Sequence, residues 1–151
     1  FIMSNTQQLK QLRAETGLSY SMCAKALEEA KGDMTAAKKI LSTWGAEFAE
    51  KKADRVAKQG SIFTYIHHNK KIGVMVELLC ETDFVAKNDD FQRLGADIAM
   101  QIASVPVESK EDLMASEFIK EPSKTIENLL KDLIFKIGEN MSIGRFERFE
   151  M

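Results

Sequence analysis

Apolar residues in the first 45 positions recur at helical spacing and are interrupted by turn-forming pairs. Thr6 to Glu15 sets Leu9 and Leu12 three apart, and Thr16-Gly17 then supplies a C-terminal stop. Ser19 is placed to cap a second helix running to Lys31, with Met22, Cys23, Ala26 and Leu27 along one face. Gly32 ends that helix, and Asp33 caps a third whose stripe is Met34, Ala37, Ile40, Leu41 and Trp44. Helices joined by such short breaks must fold back on one another. Residues 4–45 are therefore expected to form a three-helix bundle with Trp44 supplying much of its core. Residues 46–59, beginning Ala46-Glu47-Phe48-Ala49-Glu50-Lys51-Lys52, have little apolar surface to bury and read as a charged helical tether.

From Gly60 the period changes to two. Ile62, Thr64 and Ile66 alternate with Phe63, Tyr65 and His67. After the polar loop His68-Asn69-Lys70-Lys71, the residues Ile72, Val74, Val76, Leu78 and Cys80 alternate with Met75, Glu77 and Leu79, which predicts a β-hairpin. Asp89 or Asp90 then leads into a helix with Phe91, Leu94, Ile98, Ile102 and Val105 on one face, ended by Pro106. Ser109 to Asp112 has the form of a capping box before a short helix. After Pro122 the stripe Ile126, Leu129, Leu130, Leu133, Ile134 and Ile137 predicts a further helix, closed by Gly138. A last strand over Ile143 to Glu150 completes an α+β core at 60–151, a small three-stranded antiparallel sheet covered by helices on one face. The final strand is expected to leave a free edge.

Composition narrows the class. The 151 residues are 44% hydrophobic and 29% charged, the balance of a soluble globular chain rather than a disordered tail or a disulfide scaffold. No run approaches the ~20 apolar residues of a membrane span, and the first residues lack the pattern of a signal peptide. Met3 reads as the native start, with Phe1 and Ile2 as added residues. Cys23 and Cys80 stand far apart without a CxxC pairing, so both are expected to be buried free thiols in a reducing, cytoplasmic setting. Residues 1–60 carry 10 Lys/Arg against 7 Asp/Glu, and residues 61–151 carry 11 against 16. Neither half concentrates the positive charge that binding a phosphate backbone requires, which disfavours direct contact with nucleic acid.

Enzyme chemistry finds little support. GxxxxGK[ST] and strand-borne GxGxxG loops are absent. His67 and His68 fall together at the hairpin tip, where alternation sends neighbours to opposite faces. Asp89-Asp90 is read as helix capping rather than as a cation site, and Glu77 and Glu81 are too far apart along a strand to form a coupled pair. No catalytic residue, cofactor or metal site is assigned. One segment draws attention: Glu81-Thr82-Asp83-Phe84-Val85-Ala86-Lys87 joins the second strand to the next helix and sets a carboxylate beside a large ring. Either Asp83 caps a turn and Phe84 closes the core beneath it, or the pair protrudes as an interface anchor.

Leu12-Arg13-Ala14-Glu15-Thr16-Gly17, then Cys23-Ala24-Lys25-Ala26-Leu27 with Gly32-Asp33, resembles the amino-terminal signature of the elongation factor Ts family. Glu77 to Asn88 is similar to that family's second signature, and Ile137-Gly138-Glu139-Asn140 with a closing strand is similar to its later segment. The resemblance covers almost the whole chain and fits a compact member, or one cut after the first half of the core. It implies that the opening bundle is ubiquitin-associated-like and that the chain is a guanine-nucleotide exchange factor for elongation factor Tu in its GDP-bound and nucleotide-free states. It also implies that Thr82, Asp83, Phe84 and Val85 form the corner that disturbs the magnesium and phosphate site. Arg13, Tyr20, Ser21 and Met22 become the bundle's contact surface, and the core sheet a possible homodimer face. At Tyr20-Ser21-Met22 the family often carries two bulky apolar residues and an acid, so this contact differs in shape and polarity. The alternative is a passive adaptor that binds through the bundle without exchange activity. A small hydrolase using His67 or His68 is a third class, without the geometry that acid–base work needs.

Overall fold

Helix α1 (Asn5–Thr16) opens the computed structural model, which describes residues 5–151. The expected native start at Met3, with Phe1, Ile2 and Ser4, lies outside the described residues. Helices α2 (Tyr20–Glu29) and α3 (Met34–Lys52) follow. Gly17 and Gly32 adopt positive φ of 68° and 82° where α1 and α2 have ended. Ser19 Oγ accepts from the Met22 N–H at 3.2 Å, and Asp33 Oδ1 from the Ala36 N–H at 3.0 Å. Each cap satisfies a backbone donor that has no partner within its helix.

The core of this part is Leu9, Leu12, Cys23, Ala26, Leu27, Ala37 and Leu41. Trp44 is half-buried and packs against that cluster from outside it. Leucines packed over alanines, rather than the indole, therefore make most of the bundle's interior. Helix α3 does not stop at Trp44-Gly45 but carries on to Lys52. No proline or left-handed residue interrupts Ala46 to Lys52, and Lys51 and Lys52 lie at the negative end of the helix dipole. The chain divides into two compact units, one ending at Phe48 and the other running from Ala49 to Met151.

After the end of α3, the second unit continues with β1 (Gln59–Ile66) and β2 (Ile72–Cys80), followed by α4 (Asp83–Ala86) and α5 (Asp89–Ser104). Then come α6 (Lys110–Ala115), β3 (Glu117–Phe118), β4 (Glu121–Thr125), α7 (Ile126–Ile137) and β5 (Met141–Glu150). Strands β1, β2 and β5 form an antiparallel sheet in the order β1-β2-β5, so β1 and β5 are both edges. The architecture is the expected α+β, with a bundle of three helices ahead of a helix-covered sheet. Phe63, Val74, Val76, Leu78 and Ile143 are buried on the inner face, and Phe91, Ile98 and Ile102 of α5 are buried completely. Burying each such side chain stabilises the fold by ~1.5–3 kcal/mol. On β5, Arg148 Nη2 donates to the carbonyl of Ala103 at 3.0 Å, close to the last turn of α5.

One glycine sets how closely α5 approaches the sheet. A Cβ built on Gly95 would lie 2.2–2.4 Å from three atoms of the Phe63 ring. That ring is held in turn by Phe91, with centroids 6.0 Å apart. Gly95→Ala is therefore expected to destabilise the second unit by about 1–3 kcal/mol through overpacking. This outweighs the gain of about 1 kcal/mol in helix propensity. Urea denaturation followed by circular dichroism checks the sign; a more stable variant would show that α5 can retreat freely.

Two local details differ from expectation. The cap of α5 is Asn88, whose Oδ1 accepts from Asp90 and Phe91 N–H groups at 2.9 and 3.4 Å. Asp89 and Asp90 instead occupy the first turn, where their charge faces the positive end of the helix. The ribbon β3–β4 is unexpected. Gln101, fully buried on α5, reaches it by donating to Ser116 Oγ at 3.2 Å and to the Glu117 carbonyl at 2.8 Å. Its Oε1 accepts from the Ile119 N–H at 3.1 Å. The outer face of the main sheet carries Ile62, Ile66, Met75 and Phe149, all exposed. Their cross-strand register, Thr64 with Met75, Ile66 with Gly73 and Gly73 with Phe149, puts them on one surface.

Candidate functional site at the strand-to-helix corner

Strand β2 ends at Cys80, and the chain turns at once into the four-residue helix α4. Thr82 makes this turn. Its backbone is extended, at φ −126° and ψ 154°, and its Oγ1 accepts from the Val85 N–H at 3.3 Å. The Thr82 carbonyl accepts from Ala86 N–H at 3.2 Å and from the Cys80 thiol at 3.1 Å. Burial pushes the Cys80 thiol above its usual range, with the Glu139 carboxylate adding to the effect. Cys80 therefore stays a protonated packing residue and not a nucleophile. Cys23 is likewise buried and free.

A single helical turn sorts the candidate residues by direction. Val85 and Ala86 are buried and root the turn in the core, whereas Asp83 and Phe84 face outward. The Phe84 side chain is 82% exposed. It does not close the core, and Thr82 rather than Asp83 caps the turn. Thr82 is half-buried. Of the four residues expected at the corner, two are thus open to a partner and two support them. Gln92 on α5 braces the end of the turn by donating to the Ala86 carbonyl at 2.6 Å.

Glu139 and Asn140, which the sequence showed only as part of the family-like later segment and without a role, hold this corner from the far end of the chain. Glu139, just after the α7 cap Gly138 (φ 89°), accepts from the Thr82 N–H at 3.1 Å and from Thr82 Oγ1 at 2.7 Å. The neighbouring Asn140 N–H donates to Glu81 Oε1 at 2.9 Å, so the two loops exchange carboxylate-to-backbone bonds. The buried Asn140 side chain donates to the carbonyls of Ala53 and Arg55, at 3.3 and 2.7 Å. The only local signal was an acid and an amide directly after a helix-ending glycine.

In the first unit, Arg13 and Tyr20 come together. The guanidinium carbon lies 5.9 Å from the ring centroid, and Tyr20 is 61% exposed. This is cation–π geometry. Ser21 is exposed, whereas Met22 is half-buried against the bundle core.

Of the remaining candidates, the two histidines come together against expectation, because both lie beyond the last residue of β1 and strand alternation does not separate them. His67 Nδ1 lies 3.0 Å from the Tyr65 hydroxyl, and its ring packs on His68 with centroids 4.2 Å apart, all at the hairpin end. Glu77 is engaged by Arg145, which donates from Nε at 2.9 Å, from Nη2 at 3.0 Å and from its backbone N–H at 2.7 Å. Those bonds hold the Glu77 carboxyl down at about 2. Glu81 faces Arg55 and Asn140 instead. Asp90 is held below the usual carboxylate range by Lys136, 2.7 Å away. Among the described residues no group of three or more His, Cys, Asp or Glu side chains could hold a metal ion, and no helix is long and apolar enough to cross a membrane.

Comparison with known proteins gives one consistent result. The sequence model of the family described as Elongation factor TS matches residues 81–151, the stretch that contains the corner and its Glu139-Asn140 support. Elongation factor Ts of Carboxydothermus hydrogenoformans is 39% identical, with 99% of this chain and 89% of that protein covered. The Solibacter usitatus protein of the same name is 38% identical, with 95% and 89% covered. Against the longer Clostridium perfringens elongation factor Ts, at 42% identity, 99% of this chain spans 48% of the relative. With similarity of this extent running through both units, the chain belongs to the elongation factor Ts family.

Proposed function

We propose that this chain is a guanine-nucleotide exchange factor for elongation factor Tu, with Asp83 and Phe84 as the pair that disturbs the partner's magnesium and phosphate site. The observation that carries the reading is the exposure of Phe84, 82% open on a turn whose next two residues are buried. A large ring held out by a rooted turn is positioned for insertion, because the backbone that carries it is already fixed and little backbone freedom remains to be lost on binding. Burying it in an apolar gap of the partner would contribute ~1.5–3 kcal/mol. Asp83 adds a negative charge beside the site of a bound cation and phosphates, where it competes with the nucleotide for the same donors. Thr82 and Val85 hold the pair in place.

The chain makes and breaks no covalent bond in this scheme. Exchange follows from linkage: a factor that prefers the nucleotide-free partner must weaken GDP binding by the same coupling free energy. Arg13 and Tyr20, with Ser21 and the edge of Met22, form the contact of the first unit, and residues 46–59 join it to the corner. The factor works in the cytoplasm. A second copy packs on Ile62, Ile66, Met75 and Phe149 of the sheet's outer face, which removes that apolar surface from water.

Titration calorimetry against the two states of elongation factor Tu tests the reading. Affinity for the nucleotide-free form should exceed that for the GDP-bound form by about 5- to 150-fold. Equal affinity for the two would leave only a passive adaptor, since a ligand without differential affinity shifts no equilibrium.

A further inference from the structure

We infer that Glu139 is the positioning residue of the exchange corner, acting on Asp83 and Phe84 through Thr82. The inference rests on the exchange reading above and adds the device that makes the corner rigid. Four residues of helix cannot hold themselves in water, because the first turn fixes several dihedrals for a single hydrogen bond. The stiffness of α4 has to come from outside it. Glu139 supplies it from 57 positions further along the chain, with one carboxylate oxygen on the Thr82 N–H and the other on Thr82 Oγ1.

The chemistry of the pair explains why an acid is needed. A threonine hydroxyl has one proton and two lone pairs. An ionised carboxylate can only accept, so it draws that proton towards Glu139 and leaves a lone pair facing the Val85 N–H at 3.3 Å. The carboxylate thus orients the cap that starts the turn bearing Asp83 and Phe84. Glutamine cannot reproduce this. With its oxygen on one Thr82 donor, its NH2 group faces the other, and either the N–H or the hydroxyl proton loses its acceptor. The reciprocal bond from Asn140 N–H to Glu81 locks the same two loops one residue further on.

The test uses the whole chain with Glu139→Gln, Thr82→Val and the double variant, with two readouts. Amide hydrogen exchange of Val85, Ala86 and Lys87 by NMR reports the rigidity of the turn. Nucleotide release from elongation factor Tu, titrated to saturation, separates the maximal stimulated rate from the concentration that gives half of it. Each single variant should lower amide protection and the maximal rate by about tenfold, the usual effect of losing a hydrogen bond to a charged group. The half-saturating concentration should move much less. The double variant should be no worse than the weaker single, because both changes break one unit. Unchanged protection in Glu139→Gln overturns the clamp. Lost protection with an unchanged maximal rate overturns the positioning role and leaves exchange standing, whereas release at the unstimulated rate with the parent chain overturns the exchange reading beneath it. A lower rate with intact protection means Glu139 meets the partner directly, and that also overturns a positioning role. If Glu139→Gln fails to fold, Glu139→Asp, whose shorter side chain keeps the charge but cannot reach both the Thr82 N–H and Oγ1, carries the same comparison.

Discussion

Phe84→Ala is expected to leave the chain folded and to slow stimulated GDP release by about 10- to 100-fold. The two halves of this expectation have separate causes. Stability is spared because the ring is 82% exposed and its removal opens no cavity, while Val85 and Ala86 still anchor the turn. Exposed substitutions away from caps and cores usually stay within about 0.5 kcal/mol. Exchange suffers because the lost ring carries the burial that only the displaced state of the partner offers, and such differential contacts act on the rate. Circular dichroism and calorimetry check the first half, and stopped-flow release of a fluorescent GDP analogue checks the second. A release rate within twofold of the parent would take Phe84 out of the mechanism. A molten or unfolded variant would mean that the ring supports the fold after all.

Removal of residues 1–48 should leave a folded second unit that binds elongation factor Tu about 10- to 100-fold more weakly, the scale of losing one or two aromatic or arginine anchors. The first unit closes its own core on Leu12, Cys23, Ala26 and Leu27, and the second has a separate one on Phe91, Leu78, Ile98 and Ile143. What the deletion takes away is the Arg13–Tyr20 pair, exposed and held in cation–π contact. Titration calorimetry with the shortened chain reads the affinity, and its far-ultraviolet spectrum reads the fold. Unchanged affinity would remove the bundle from the interface, and an unfolded fragment would show that the two units are not independent.

Much of the architecture was legible because its signals are local. Periodicity located five of the seven helices among the described residues and the three strands of the main sheet, and a capping pattern located a sixth helix. Caps at Ser19, Asp33 and Ser109 and stops at Gly17, Gly32 and Gly138 act where their residue types suggest. The misses have physical reasons. Asn88 caps α5 instead of either aspartate after it, because all three are good capping residues and only the backbone geometry decides among them. The ribbon β3–β4 carries almost no apolar alternation and owes its place to Gln101, 16 positions from Glu117. A glutamine set among Ile98, Ile102 and their neighbours was its one trace in the sequence.

The corner shows the same division. Its motif could be read from Thr82-Asp83-Phe84-Val85, but whether Phe84 points in or out could not, since a turn of four residues has no period to judge. The exposure of the ring and the burial of Val85 answer that question. The clamp from Glu139 was out of reach in principle: nothing near Thr82 in sequence announces a partner 57 residues away.

The most direct test of the account loads elongation factor Tu with a fluorescent GDP analogue, chases with unlabelled GDP, and adds this chain at a small fraction of the GTPase concentration. The account predicts that release accelerates many-fold and that each molecule of the factor serves many GTPases in turn. Release at the uncatalysed rate, with binding still detected, would contradict it and leave the chain an adaptor.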